Sequence, residues 1–207
     1  MRISQTMVSG LAAVAMLAVS VAGCGSKTTS STSTSGSATS ATSFSRSSAP
    51  TSSAPAQPSD YARLLIQATE INAPEPFNAS PPTNNPNGQP GVATTFSTQD
   101  GSHVIRDTIQ VLADPAAATN ALNSAKAGQG NTIKDPQTDS SNVGAGGTTL
   151  SGNSPDGSKG VTILLFTEGR ALVTLEFEGP PGMLPPPDFV LDTGQKQDAA
   201  VKKGLGG

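Results

Sequence analysis

Apolar and polar positions alternate most clearly between residues 161 and 178. Val161, Ile163 and Leu165 fall on one face, with Leu164 and Phe166 on the other. Ala171, Val173, Leu175 and Phe177 then share a face. A repeat of two places alternate side chains on opposite faces of a strand. Strands over 161–167 and 170–178 are therefore predicted, joined at Glu168-Gly169. The same repeat recurs in 103–112, where Ile105, Asp107, Ile109 and Val111 oppose Val104, Arg106, Thr108 and Gln110. A strand over 92–97 precedes it, across the hairpin signal Asp100-Gly101.

A helical repeat replaces the alternation in three places. Asp114 followed by Pro115 predicts a helix start, with the run ending near Lys126 and stopped by Gly128. Its apolar stripe is Ala118, Leu122 and Ala125. Tyr61, Leu64, Leu65 and Ala68 fit a short helix capped by Asp60. The last helix is predicted from Asp188, as cap, to about Lys203, ending at Gly204, with Val190, Gln197, Val201 and Leu205 inward. Between these elements, 74–91 reads as an irregular loop, 131–134 as a short strand and 135–147 as turn-rich. Residues 148–152 pair with 161–167 across Asp156-Gly157. Hairpins dominate this order. It predicts an α+β fold, an antiparallel sheet with helices packed on one face, as a single domain over 60–207.

Before residue 60 the pattern is different. Met7 to Val21 is an uncharged, mostly apolar run of 15 residues behind Arg2. That is the length of a signal-peptide core and short for a membrane span. About 20 of the 33 residues in 27–59 are serine or threonine. So little apolar surface cannot offset the entropy of ordering, so 24–59 reads as a disordered tether reaching roughly 30 Å.

Val21-Ala22-Gly23-Cys24 resembles the bacterial lipobox, in which an aliphatic and two small residues precede an obligatory cysteine. The resemblance implies that 1–23 is a lipoprotein signal peptide, with Val21, Ala22 and Gly23 recognised by the peptidase. It further implies that the Cys24 thiol accepts a diacylglyceryl group, with palmitate-type acylation holding the mature chain on the extracytoplasmic face of the cell membrane. Cys24 is the only cysteine, so no disulfide can form within the chain. The Ser/Thr-rich stretch resembles the stems of mycobacterial lipoproteins, which implies O-mannosylation at residues such as Thr28, Thr29, Thr32 and Thr34. The formal N-glycosylation pattern Asn78-Ala79-Ser80 is read as chance.

Charge narrows the partners. The chain carries −3 overall. Outside Arg2, Lys27 and Arg46 it holds nine bases against fifteen acids, so 60–207 carries −6. A basic footprint for nucleic acid is not present.

Candidate chemistry is sparse. His103 is the only histidine. With Asp107 on the same strand face it could contribute to a metal site, but a structural zinc needs four N or S ligands, so a solvated imidazole is preferred. No Gly-x-Ser-x-Gly elbow accompanies it. Gly144-Ala-Gly-Gly147 has a phosphate-loop texture but lacks the following lysine and helix start. Glu176 and Glu178 share a strand face at a spacing open to glycoside hydrolysis. The solvent face of an amphipathic strand accounts for them as well. Pro180-Pro181 and Pro185-Pro186-Pro187 flank Gly182-Met183-Leu184, either as a stiff connection or as a segment presenting Met183 and Leu184.

Leu64-Leu65-Ile66 followed by Glu70-Ile71, a strand leading into an Ala-rich helix over 109–127, and Gln195-Lys196-Gln197 in a terminal helix carry a second resemblance. They are similar to a domain of actinobacterial lipoproteins and of the extracellular sensor region of a mycobacterial receptor serine/threonine kinase. That region carries disulfides and this one cannot. With candidate chemistry this sparse, the reading is a non-enzymatic module of the cell envelope that binds a ligand or an envelope protein, without cofactor or catalytic residues. A lipid or glycolipid carrier with an apolar cavity is the alternative, and an envelope hydrolase the third class.

Overall fold

Strands form where the alternation is strongest, and they stand at the centre of one sheet. The computed structural model describes residues 58–206. Two short strands, β1 (Asn78–Ala79) and β2 (Thr83–Asn84), pair with β3 (Gly91–Ser97). β4 (Val104–Val111) follows, then helix α1 (Pro115–Gly128), β5 (Lys134–Ser140), β6 (Ala145–Asn153), β7 (Gly160–Glu168), β8 (Ala171–Gly179) and helix α2 (Pro187–Leu205). The order across the sheet is β1-β3-β4-β8-β7-β6-β5, with β2 also on β3 and every pairing antiparallel. This is the expected α+β antiparallel architecture.

The helices differ from expectation in one respect: they divide between the two faces. α2 and a 3-10 helix over Pro58–Leu64 cover Val92, Phe96, Ile105, Ile109, Leu164, Phe166, Val173 and Leu175. α1 covers the other face, where Leu122 packs with Ile133, Leu150, Val161, Ile163, Leu165 and Leu172. The cause is visible in β7. Val161, Ile163 and Leu165 are apolar, and so are Leu164 and Phe166 between them, so both faces of this strand require cover. The whole of β7 up to Thr167 is buried.

Register follows the predicted hairpin. Glu168 pairs with Ala171, and Val173 lies opposite Phe166 on β7 and Ile109 on β4. Val173 is fully buried, while Thr174 and Glu176 are half-buried on the opposite face.

Four local expectations are corrected. The opening helix is 3-10 and contains Asp60 rather than being capped by it. Residues 74–91 are not wholly irregular, since β1 and β2 lie within them. The region 135–147 is largely strand: β5 runs through it, and 131–134 joins a 3-10 turn to its start. β5 is an edge strand with almost every residue exposed, so burial imposes no alternation on its sequence. It is also irregular, with Asp135 left-handed at φ 48°, Pro136 beside it, and a register shift between Lys134 and Gln137. Finally, α2 begins after Pro186, and Asp188 lies within its first turn without a side-chain capping bond. Asp114, by contrast, caps α1 as expected, accepting from Ala117 N at 2.7 Å.

The expected signal peptide, with Val21, Ala22, Gly23 and Cys24, lies outside the described residues, as does the tether up to residue 57. No described helix is long and apolar enough to cross a membrane.

Candidate functional site

Three phenylalanines far apart in sequence meet at one end of the sheet. Phe177 closes β8, Phe189 opens α2, and Phe77 precedes β1. Phe189 sits between the others, stacked on Phe77 at 6.5 Å and edge-on to Phe177 at 5.8 Å. Around them lies a pocket of about 500 Å³, further lined by Ile105, Val104, Met183, Leu184, Ala73 and several prolines. That volume is in the range of small-molecule sites, and its mainly apolar walls are their usual chemistry. Asn72, Glu75, Thr98, His103 and Glu178 supply its polar lining.

Each wall is held by identifiable bonds. The segment before Phe77 is tied to α2 by Lys196, whose Nζ donates to Glu70 O at 2.7 Å and pairs with Asp192 at 2.8 Å. Asn72 Nδ2 donates to the same carboxylate at 3.2 Å. The Pro-rich segment forms the facing wall. Met183 N donates to Pro180 O at 3.0 Å, Gly160 N to Pro180 O at 3.2 Å, and Gly182 N to Asn153 Oδ1 at 3.3 Å. Gly160 permits this approach, because a Cβ there would lie 2.4 Å from the Met183 carbonyl oxygen. Met183 and Leu184 are 59% and 47% exposed, the large apolar side chains most open to solvent among the described residues.

The third wall is the β3–β4 turn. Asp100 Oδ1 accepts from Thr98 Oγ1 at 2.7 Å and from Ser102 N and Oγ at 3.0 Å. The Ser102 N–H, followed by the Thr98 and Ser102 hydroxyls, holds the Asp100 pKa down at about 2. The β6–β7 turn repeats the design, with Ser154, Asp156 and Ser158 in the same roles and Asp156 also held at about 2. The shared spacing, Thr98-x-Asp100-Gly-Ser102 and Ser154-x-Asp156-Gly-Ser158, is plain in the sequence once the turns are seen.

His103 lines the pocket and is exposed, whereas Asp107 is buried with no hydrogen-bond partner among the described residues, so the two do not form a site. Desolvation alone raises the Asp107 pKa well above the ordinary range. No group of three or more potential metal-ligating side chains occurs among the described residues. Sequence reasoning overlooked Ser102, whose Oγ lies 2.9 Å from His103 Nδ1. The contact is not a catalytic relay. In a hydrolase triad the imidazole stands between serine and carboxylate. Here Asp100 bonds the serine instead, and competes for its single proton.

Glu176 and Glu178 are engaged with cations. Arg106 bonds Glu178 and lies 3.5 Å from Glu176, and Lys159 reaches Glu178 at 2.7 Å. Burial works against the charge on Glu178, but Arg106 and Lys159 outweigh it and hold its pKa below the usual value. Burial raises that of Glu176, against the pull of Arg106. The pair therefore acts as the acid side of a surface charge cluster. The glycines of 144–147 are packing residues: a Cβ on Gly144 would lie 2.5 Å from the Phe166 ring, and one on Gly147 would meet Val143 O at 2.4 Å.

No protein family and no curated protein matches the sequence. Among solved structures, the chain is similar to the extracellular domain of PknH from Mycobacterium tuberculosis, with a TM-score of 0.51 and 8% identity. The match covers 74% of this chain and 99% of that one. At this identity the likeness is one of fold, and in fold this chain resembles that extracellular domain.

Proposed function

We propose that the chain is a non-enzymatic binding module on the extracytoplasmic face of the cell membrane, anchored through lipid on Cys24. The pocket between β4, β8 and α2 is its ligand site. The observation that carries this reading is the apolar pocket of about 500 Å³ built around Phe77, Phe177 and Phe189. Fold likeness to an extracellular domain supports the compartment, and the lipobox-like Val21-Ala22-Gly23-Cys24 supports the anchor. Mass spectrometry of small molecules retained by the mildly extracted protein tests the site. An apolar compound should be retained by the native chain and lost from Phe189→Ala. Its retention by that variant would place binding elsewhere.

A carrier of lipid or glycolipid is the second reading, favoured by the exposure of Met183 and Leu184 beside the pocket. Transfer of a labelled lipid between donor and acceptor vesicles separates the two, since a binding module catalyses no such transfer. Anchoring is tested by detergent phase partitioning. Cys24→Ala should leave an uncut or soluble form, and a mature-sized species still entering the detergent phase would refute the anchor.

A further inference from the structure

The apolar pocket does not end at Glu75. A second recess, about 360 Å³, adjoins it and shares that residue, with Pro76, Gln99 and Asp100 completing its walls. The two depressions differ in chemistry. The first offers three phenyl rings and aliphatic side chains. The second offers two carboxylates and no base. Among the described residues no ion pair reaches Glu75 or Asp100. The hydrogen bonds that Thr98 and Ser102 give to Asp100 all fall on Oδ1. Arg106 and Lys159 are committed to Glu176 and Glu178, and Lys196 to Asp192.

Resting on the ligand-site reading above, we infer that the pocket takes an amphiphile whose apolar body lies on Phe77, Phe177 and Phe189 and whose head is an ammonium group seated between Glu75 and Asp100. Apolar burial supplies the attraction for the body. The recess supplies the selection: a cation gains from two carboxylates that no ion pair reaches among the described residues. A carboxylate or phosphate head would meet like charge at the same place. Among the described residues His103 is the only basic side chain lining the pocket.

The test compares three water-soluble probes that share a phenylalkyl body: phenylpropyl-trimethylammonium, phenylbutyrate and phenylbutanol. Each is titrated by ligand-observed NMR against the full lipidated chain in phosphatidylcholine nanodiscs, with empty nanodiscs as blank. The ammonium probe should bind about three- to tenfold more tightly than the carboxylate, with the alcohol between them. Glu75→Gln, at an exposed position, should narrow the gap between the ammonium and carboxylate probes. An ammonium probe that binds no better than either other probe, or a preference that survives Glu75→Gln, overturns the head-group inference while leaving the apolar pocket standing. Failure of all three probes to bind the native chain overturns the pocket reading itself.

Discussion

The side-chain amide of Gln197, fully buried on α2, donates to the carbonyl of Leu64 at 2.6 Å. Its oxygen accepts from Ile66 N at 3.0 Å. One polar side chain thus satisfies two buried backbone groups of the opening segment. Gln197→Leu keeps the volume and removes both bonds. The cost should be about 2–4 kcal/mol, since each orphaned group forfeits its solvation. A urea melt measures it, and a loss under about 1 kcal/mol would mean that the segment finds other partners.

Among the described residues Val173 lies in an apolar cluster, paired with Ile109 and Phe166. Val173→Asp should cost about 3–5 kcal/mol. Thr174→Asp, pointing the other way and half-buried, should cost about 1 kcal/mol or less. Equal urea midpoints for the two variants would contradict the register.

Asp107 sets a pH dependence of opposite sign to that of most carboxylates. Burial raises its pKa in the folded state, so the native chain holds a proton that the unfolded chain releases. Stability from this group is present below about pH 4 and declines as pH rises toward the folded value. Asp107→Asn has nothing to titrate. Unfolding free energies of both chains between acid and neutral pH should converge at the acid end, with the native chain falling relative to the variant as pH rises. A constant difference would show that Asp107 is ionised in the fold.

Gly160→Ala should damage the pocket from outside it. The new Cβ meets the Met183 backbone and must push the Pro-rich wall aside. A stability loss of about 1–3 kcal/mol is expected from overpacking. Phenylbutanol binding should weaken alongside it. Unchanged binding would show that the wall is dispensable.

Residues before 58 should act as spacer only. A chain beginning at Pro58 is expected to melt at the same temperature as one beginning at Ser26. A clear decrease would reveal packing of the Ser/Thr-rich stretch on the domain.

Much of the architecture was legible because burial writes itself into alternation. β4, β7 and β8 are buried on at least one face, and each was placed within a residue or two of its observed ends. β5 was missed for the converse reason: exposed on both faces, it is free to carry Lys134, Pro136 and Asp139 in no apolar order. The helices divide between two faces because both faces of β7 are apolar, a pattern present in the sequence that predicts cover on each side. The candidate site was less legible still. Phe77, Phe177 and Phe189 lie in a loop, a strand and a helix, and no local period links them. Only the Pro-rich segment with Met183 and Leu184 had been singled out, together with His103 and Glu178 of the polar lining.

The irregular outer strand has a colloidal consequence. A sheet edge with free N–H and C=O groups invites another molecule to extend it. On β5 the invitation is withdrawn: Pro136 has no N–H to offer, Asp135 turns the backbone out of line, and Lys134 and Asp139 add charge. At the opposite margin β1 and β2 are two residues each. Neither side offers an unbroken ladder, so copies crowded together can collide repeatedly without polymerising through their strands.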